Sequence, residues 1–180
     1  MSGVSKPEQE RFKLLGVCGG IGSGKSSVCK VLVSEVGCLG HIDSDSIAHT
    51  VYEPGCDSVK DLVAEFGSEL LDNDGTIDRK KLGSIVFSDA EAMKTLERIV
   101  WPHVQRKIEA EIDRLKTEAT DASDTSKKLP VIVVEAAVLL DAGWQDFLDG
   151  VWVVQVPKSV ALTRLQESRA LSAEEAERRI

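Results

Sequence analysis

One run of residues constrains this chain more than any other feature: Gly19-Gly20-Ile21-Gly22-Ser23-Gly24-Lys25-Ser26. It matches G-x-x-x-x-G-K-[ST], the P-loop, whose backbone N–H groups surround phosphate oxygens. Its glycines permit a close approach to an anion. The segments on both sides of the motif fit a P-loop. The apolar run 13–18 before it is typical of a buried strand, and the spacing of apolar residues after it predicts a helix over 25–36. The sequence therefore predicts a strand, a phosphate-binding loop and a helix in succession.

Chemical roles follow from this loop. Its N–H groups and the helix N-terminus would hold the phosphates of ATP. Lys25 would bridge the β- and γ-phosphates during transfer, and the Ser26 hydroxyl would hold Mg²⁺. We therefore predict ATP and Mg²⁺ as the bound species, with an ATP-binding set that consists of Gly20, Ile21, Gly22, Ser23, Gly24, Lys25, Ser26 and Ser27.

Length and charge narrow the class further. A chain of 180 residues can bury the core of one domain, and its net charge of −8 disfavours a nucleic-acid partner held by a basic face. No apolar run is long enough to span a bilayer, and the polar N-terminus lacks the apolar core of a secretory signal. We expect a cytoplasmic protein, with mitochondrial association left open. Four cysteines without C-x-x-C spacing favour reduced core residues over disulfides or metal ligands.

The order of predicted elements indicates an α/β fold with a parallel sheet, and the glycine motif assigns it to the P-loop NTPase class. Strands are predicted over 13–18, 38–42, 131–134 and 151–154. We expect a flexible N-terminal segment (1–12) and a domain (13–180) that contains a helical insertion (46–119) and a lid region (157–180). Pro102 suits the first turn of a helix, so we predict two helices there, over 90–100 and 102–119.

Acidic residues follow two of the predicted strands. Asp43 and Asp45 come at the end of the second strand, at the sheet edge where ligands bind in open α/β folds. Asp45 is the candidate base near the attacking oxygen, and Asp43 is the candidate substrate-side or Mg²⁺-water partner. The alternative for Asp45 is a helix cap at Ser46. Glu135 occupies a Walker-B-like place after the third strand, or is a loop-edge acid without a role.

Basic residues gather near the C-terminal end of the sequence. Arg164 and Arg169 lie in one predicted short helix, and Arg178 and Arg179 in another. This cluster indicates a lid that faces phosphates. Arginines on a solvated helix face are the alternative reading of the same pattern.

Several stretches occur in a fixed order along the chain. They are the P-loop, Ile42-Asp43-Ser44-Asp45-Ser46-Ile47-Ala48-His49, Glu53-Pro54-Gly55, Phe66-Gly67, Gly75-Thr76-Ile77-Asp78-Arg79, Leu82-Gly83-Ser84-Ile85-Val86-Phe87, Ala136-Ala137-Val138-Leu139-Leu140-Asp141-Ala142-Gly143-Trp144 and Leu171-Ser172. Taken in this order, they resemble the dephospho-coenzyme A kinase family, and in particular the kinase domain of the eukaryotic bifunctional coenzyme A synthase. The resemblance covers about residues 14–180 and implies a sheet like that of nucleoside-phosphate kinases.

The resemblance implies transfer of a phosphoryl group from ATP to the ribose 3′-hydroxyl of 3′-dephospho-CoA, giving CoA and ADP. It implies that Asp45 activates this hydroxyl and that the helical insertion holds the pantetheine side of the substrate, with Arg79 as a contact. It also implies that Arg164 belongs to a lid over the ATP phosphates. The expected partner is this small molecule, with no obligate protein partner.

Three departures from the family pattern matter. Trp101-Pro102 stands where many bacterial members have His-Pro, which favours the eukaryotic subfamily. The second lid arginine, Arg169, is displaced by one position, which is about 100° of helical rotation. The family's last strand and helix have no counterpart before Ile180, so we expect a truncated chain with an open sheet edge. The alternative is a partner that replaces the missing part. Two alternatives therefore stay open: another small-molecule P-loop kinase, and a catalytically silent ATP-binding fragment.

Overall fold

The computed structural model describes residues 11–121, 129–169 and 172–180. Four strands form its sheet: β1 (Lys13–Cys18), β2 (Cys38–Asp43), β3 (Leu129–Glu135) and β4 (Gly150–Val153). They lie in the order β2-β3-β1-β4, and every pairing is parallel. The observed strands overlap all four predicted ones, and their ends differ by at most two residues. The predicted α/β fold with a parallel sheet is therefore confirmed.

The helices are α1 (Lys25–Ser34), α2 (Ser44–Thr50), α3 (Asp57–Phe66), α4 (Arg79–Val86), α5 (Ala90–Asp121), α6 (Lys158–Arg169) and α7 (Ala173–Glu177). The chain divides into two compact units, of which the first comprises Met1–Asp43 and Ile112–Ile180 and the second Ser44–Glu111. No helix of the described residues is long and apolar enough to cross a membrane.

The first unit is organised around its sheet. Val17 of β1 and Val133 of β3 are fully buried and pack in one cluster with Cys29 and Leu32 of α1 and Cys38 of β2. An apolar strand buried on both faces is typical of a parallel sheet, which explains the continuous run of valine and isoleucine in β3. Cys18 is also buried, and all four cysteines are free thiols.

The second unit has a helical core. Val51, Leu62 and Leu70 have no exposed surface, and Ile77 is 4% exposed. The backbone N–H of Ile77 donates to the carbonyl of Tyr52, which ties the segment before α4 to the turn that follows α2. The Asp78 carboxylate then caps α4 by accepting from the N–H groups of Lys80 and Lys81. The unit therefore has its own packed interior.

The predicted break at Pro102 is wrong, because α5 continues through that residue as one helix of 32 residues. A proline inside a helix removes one hydrogen bond and costs about 3 kcal/mol. Here buried side chains recur every four residues on both sides of it, at Val100, Val104, Ile108 and Ile112. Burial of such side chains contributes about 1.5–3 kcal/mol each, so a continuous apolar stripe outweighs the local penalty.

Candidate active site

The glycine loop follows β1 and leads directly into α1. Gly24 has a φ of +99° and precedes the first residue of the helix, and Gly22 has a φ of +72°. Gly19 has a φ of +147°, and a Cβ atom there would clash with the carbonyl oxygen of Val154. Only glycine tolerates these conformations without strain. The loop therefore needs these three glycines for its own shape, before any ligand is considered.

Two polar side chains of the loop bear on phosphate binding. The Lys25 ammonium donates hydrogen bonds to the carbonyl oxygens of Gly19 at 2.9 Å and Gly20 at 3.3 Å. The hydroxyl of Ser23 is buried and has no hydrogen-bond partner among the described residues. A buried hydroxyl without a partner is costly, so it marks a place where a polar ligand would be stabilised. The loop thus fits the phosphate-binding role that its sequence predicts.

Ser26 contacts a carboxylate at the end of β3. Its hydroxyl donates to Glu135 Oε1 over 2.7 Å, and His41 Nε2 lies 3.0 Å from Glu135 Oε2. Glu135 is 6% exposed. Hydroxyl and carboxylate oxygens are the ligands that Mg²⁺ prefers, so this pair fits a magnesium site. Glu135 is therefore not an acid at the edge of a loop, because it is the buried last residue of β3 and accepts a hydrogen bond from Ser26. The sequence signal for this position was an acidic residue directly after an apolar run.

Cys29 of α1 borders the same carboxylate. The thiol is fully buried, and burial, followed by the charge of Glu135 and the hydrogen bond to it, raises the pKa of Cys29 to about 12. The charge of Asp43 adds to this rise in the pKa. The thiol is therefore a neutral donor to Glu135 at physiological pH. Sequence spacing gave no sign of this contact, because the residues belong to different elements.

Arg164 reaches the loop from α6. Its guanidinium donates to the carbonyl oxygens of Ser23 at 2.9 Å and Gly22 at 3.2 Å. Ala161 of the same helix lies beside Gly22, close enough that a Cβ atom on Gly22 would be 3.1 Å from the carbonyl oxygen of Ala161. Helix α6 therefore packs on the P-loop and brings one of the predicted lid arginines to it. The side chain of Arg169, the displaced lid arginine, lies outside the described residues.

The two aspartates after the second strand take different positions. Asp43 is the last residue of β2 and pairs in register with Glu135 of β3, so the two carboxyl ends are neighbours in the sheet. Asp45 lies in the first turn of α2, which begins at Ser44. The alternative in which Asp45 caps a helix that starts at Ser46 therefore does not match the observed start. A carboxylate in a first helical turn is favoured by the helix dipole.

Arg79, the predicted substrate contact, is the first residue of α4. Its guanidinium lies 2.6 Å from His49 Nδ1 and stacks over the ring of Tyr52 at 5.5 Å. It borders an open groove of about 440 Å³ in the second unit. The groove's apolar lining includes Leu82, Val86, Phe87, Met93 and Leu96. This arrangement suits a ligand that has an apolar chain and an anionic group.

A parallel sheet, a glycine loop that caps a helix, and a lysine and a hydroxyl beside a buried carboxylate define a P-loop phosphotransferase. Comparison with known proteins narrows this class. The family model described as dephospho-CoA kinase matches residues 13–180. The chain belongs to the dephospho-CoA kinase family, so it is a kinase of coenzyme A biosynthesis.

Individual relatives agree with the family model. The chain is 38% identical over 169 residues to a dephospho-CoA kinase from Geobacter sulfurreducens, a match that covers 94% of this chain and 80% of that protein. It is 39% identical over 166 residues to a dephospho-CoA kinase from Geobacillus kaustophilus, covering 92% of this chain and 77% of that protein.

Solved structures show the same likeness. A crystal structure of TT1252 from Thermus thermophilus superimposes with a TM-score of 0.72 at 31% identity, covering 94% of this chain and 78% of that one. A dephospho-CoA kinase from Campylobacter jejuni gives a TM-score of 0.58 at 30% identity, with 92% and 77% covered.

Proposed function

We propose that this protein transfers the γ-phosphoryl group of Mg·ATP to the ribose 3′-hydroxyl of 3′-dephospho-CoA, in one in-line step that gives CoA and ADP. The observation that carries the proposal is the contact of the P-loop hydroxyl Ser26 with Glu135, in a chain that the family model matches over 13–180. The hydroxyl and the carboxylate would hold Mg²⁺, which neutralises charge on the phosphates.

On the donor side, the loop 20–27 binds the ATP phosphates, and Lys25 and Arg164 supply positive charge. Support comes from both cations already lying on the loop, where they donate to carbonyl oxygens. In-line phosphoryl transfer depends on positioning and charge stabilisation rather than on a covalent enzyme intermediate. Closure of the region 157–180 over the loop would exclude water and so protect ATP from hydrolysis.

On the acceptor side, Asp45 accepts the proton of the 3′-hydroxyl, and Asp43 orients the substrate or a water molecule on Mg²⁺. The support for Asp43 is its register beside Glu135 at the carboxyl end of the sheet. The support for Asp45 is its place in the chain, two residues further on, in the first turn of α2. A carboxylate there is exposed to solvent and so able to receive a proton.

The helical insertion (46–119) holds the pantetheine part of the substrate. The groove of about 440 Å³ supports this assignment, because it has an apolar lining and carries Arg79 and Lys80 at its border. The apolar surface suits an aliphatic chain, and the two cations suit a pyrophosphate or another anionic group.

We also propose that the chain is closest to the eukaryotic bifunctional synthase subfamily, on the basis of Trp101-Pro102, and that it acts in the cytoplasm.

The first test is release of ADP from Mg·ATP, with and without 3′-dephospho-CoA. We expect release that depends on this acceptor and does not occur with nucleosides or nucleotides as acceptors. Release with a nucleoside would instead favour another small-molecule P-loop kinase. ATP binding without any release would favour the catalytically silent alternative.

The second test separates the base from the ATP site. Asp45→Asn is expected to leave ATP affinity nearly unchanged and to lower kcat by roughly 10²-fold, the size of a general-base contribution. Asp57→Asn is the matched control, because Asp57 is also an exposed aspartate in the first turn of a helix. Equal loss of ATP binding and kcat in Asp45→Asn would show that Asp45 is structural.

A further inference from the structure

Three side chains of different chemistry lie close together, and one of them is on α1, the helix that follows the P-loop. Cys29 lies on α1, His41 on β2 and Glu135 at the end of β3. The Cys29 Sγ atom, a ring nitrogen of His41 and a carboxylate oxygen of Glu135 all lie within 4.8 Å of one another. Among the residues that the structure describes, no other group of histidine, cysteine and acidic ligands meets this distance criterion.

The dimensions of this cluster are close to those of a zinc site. Zinc bonds of about 2.0–2.3 Å in a tetrahedron place neighbouring ligand atoms about 3.3–3.6 Å apart. His41 Nε2 and Glu135 Oε2 are 3.0 Å apart. All three ligand atoms lie within 4.8 Å of one another, so the separations from Cys29 Sγ need to close by about 1.2 Å at most to reach the tetrahedral value for a sulfur ligand. Each ligand stands on a regular helix or strand, so the cluster has little backbone freedom to lose when a cation binds.

Burial and access also suit a cation. The Cys29 thiol is fully buried, and the side chain of Glu135 is 7% exposed. His41 keeps 22% of its side chain exposed and therefore provides an entry side for an ion from solvent. Thiolate and imidazole ligands favour zinc and other borderline or soft cations over Mg²⁺, which prefers oxygen.

We propose that Cys29, His41 and Glu135 form a binding site for a divalent cation of the zinc class. It differs in ligand chemistry from the proposed magnesium site of Ser26 and Glu135, and the two sites are coupled because they share Glu135. On binding, the thiol loses its proton to solvent and a sulfur–metal bond forms. A water molecule completes the coordination, as in zinc sites with three protein ligands. No change of oxidation state is involved.

The proposed coupling between this cation site and the magnesium site is negative, so that each ligand weakens the binding of the other. Glu135 uses Oε1 to accept from Ser26 and Oε2 to face His41. A cation that draws the carboxylate toward Cys29 and His41 weakens its contact with Ser26. Because linkage is reciprocal, the cation lowers the affinity for Mg·ATP by the same factor by which Mg·ATP lowers the affinity for the cation. Loss of a supporting contact at a metal site changes metal affinity by roughly 10- to 100-fold, which sets the expected size.

The direct test is titration of the whole chain with Co²⁺ under a phosphine reductant, without nucleotide or acceptor. We expect one equivalent to bind, with the thiolate-to-cobalt charge-transfer absorption and the strong visible bands of a tetrahedral site. One equivalent of Zn²⁺ should abolish both. Cys29→Ser and His41→Gln should lose them, and Cys38→Ser, another buried free cysteine of the same unit, should retain them.

Circular dichroism melting of each variant ensures that loss of signal is not loss of fold. Octahedral Co²⁺ without a sulfur band would overturn the proposal, as would a sulfur band that survives in Cys29→Ser. If Co²⁺ does not bind to the folded wild-type chain, the three residues form only a hydrogen-bond cluster, and the proposal is overturned as well.

A second measurement tests the coupling and rests on the proposed function. Mg·ATP should weaken Co²⁺ binding by roughly 10-fold or more in the wild type. Zn²⁺ should inhibit ADP release in the wild type, and Cys29→Ser should resist it. Equal inhibition of both proteins would place the inhibitory ion elsewhere and refute the coupling. Because the cobalt titration needs no substrate, its result stands whether or not kinase activity is found.

Discussion

Replacement of Glu135 tests how much this carboxylate stabilises the first unit. In Glu135→Ala, the Ser26 hydroxyl, the His41 ring and the Cys29 thiol all lose their partner. A buried donor left without a partner costs about 1–3 kcal/mol. The cost is smaller for His41, which solvent can reach, and for a thiol, which is a weak donor. Relief of the desolvation of the carboxylate opposes these losses.

The balance gives a loss of about 2–4 kcal/mol in the free energy of unfolding of Glu135→Ala, since the lost partners outweigh the relieved desolvation. Glu135→Gln should lose about 1 kcal/mol or less, because its amide keeps an acceptor oxygen while the Ser26 hydroxyl and the His41 tautomer can adjust to an N–H. Glu135→Gln should nevertheless lower kcat by roughly 10-fold or more, since it removes the negative charge with which Glu135, together with Ser26, is proposed to hold Mg²⁺.

The assay is guanidinium unfolding at pH 7, followed by circular dichroism, together with initial rates of ADP release. Glu167→Ala is the matched control, because Glu167 is an exposed glutamate of the same unit, and it should change stability by about 0.5 kcal/mol or less. The reasoning is refuted if Glu135→Ala unfolds at the wild-type midpoint. It is also refuted if Glu135→Gln is as unstable as Glu135→Ala.

Three further outcomes are expected. Gly19→Ala should lower the free energy of unfolding by about 2–4 kcal/mol, because its Cβ would meet the carbonyl of Val154 at a positive φ. Gly20→Ala is the control, since Gly20 has open space around it, and its free energy of unfolding, measured by thermal unfolding, should stay within about 0.5 kcal/mol of the wild type. Lys25→Ala should weaken both ATP binding and transfer, and wild-type affinity by calorimetry would contradict the P-loop assignment. Hydrogen bonds from Lys13 and from the Leu14 N–H lower the pKa of Asp149, so this carboxylate stabilises the fold above its unfolded pKa and the contribution disappears as the pH falls through the lowered value. Asp149→Asn should therefore cost up to about 1 kcal/mol at pH 7 and nothing in strong acid, and a difference that persists unchanged at pH 2 would argue against this ion pair.

Strands and the P-loop were predictable because their signals are local. Each strand is a short apolar run, and the loop is a contiguous motif whose glycines, lysine and hydroxyl have a direct chemical meaning. The single helix over 90–121 could not be predicted in the same way. The local preference of proline for the first turn of a helix predicted a break at Pro102, whereas the burial that keeps the helix continuous is visible only in the folded structure.

The cluster around Glu135 was harder to predict for a related reason. Its members lie at positions 29, 41 and 135, and only the pairing of β2 with β3 and the packing of α1 bring them together. Cys29 was predicted as a reduced core residue and not as a metal ligand. Its burial confirms the core position, and the proposed cation site departs from the second part of that prediction. Its contact with a carboxylate depends on registers that a single sequence does not reveal. The assignments of Asp45 and Arg79 to substrate stay predictions.

The attachment of Lys25 and Arg164 to the P-loop has a consequence for recognition. Each cation donates to two backbone carbonyl oxygens, and these contacts hold the side chain against the loop before any anion arrives. An ammonium group has three N–H donors and a guanidinium group has five, so two carbonyl contacts do not use all the donors of either group. The two side chains are therefore ordered in advance, and a phosphate chain that binds the loop gains their charge at a smaller entropic cost.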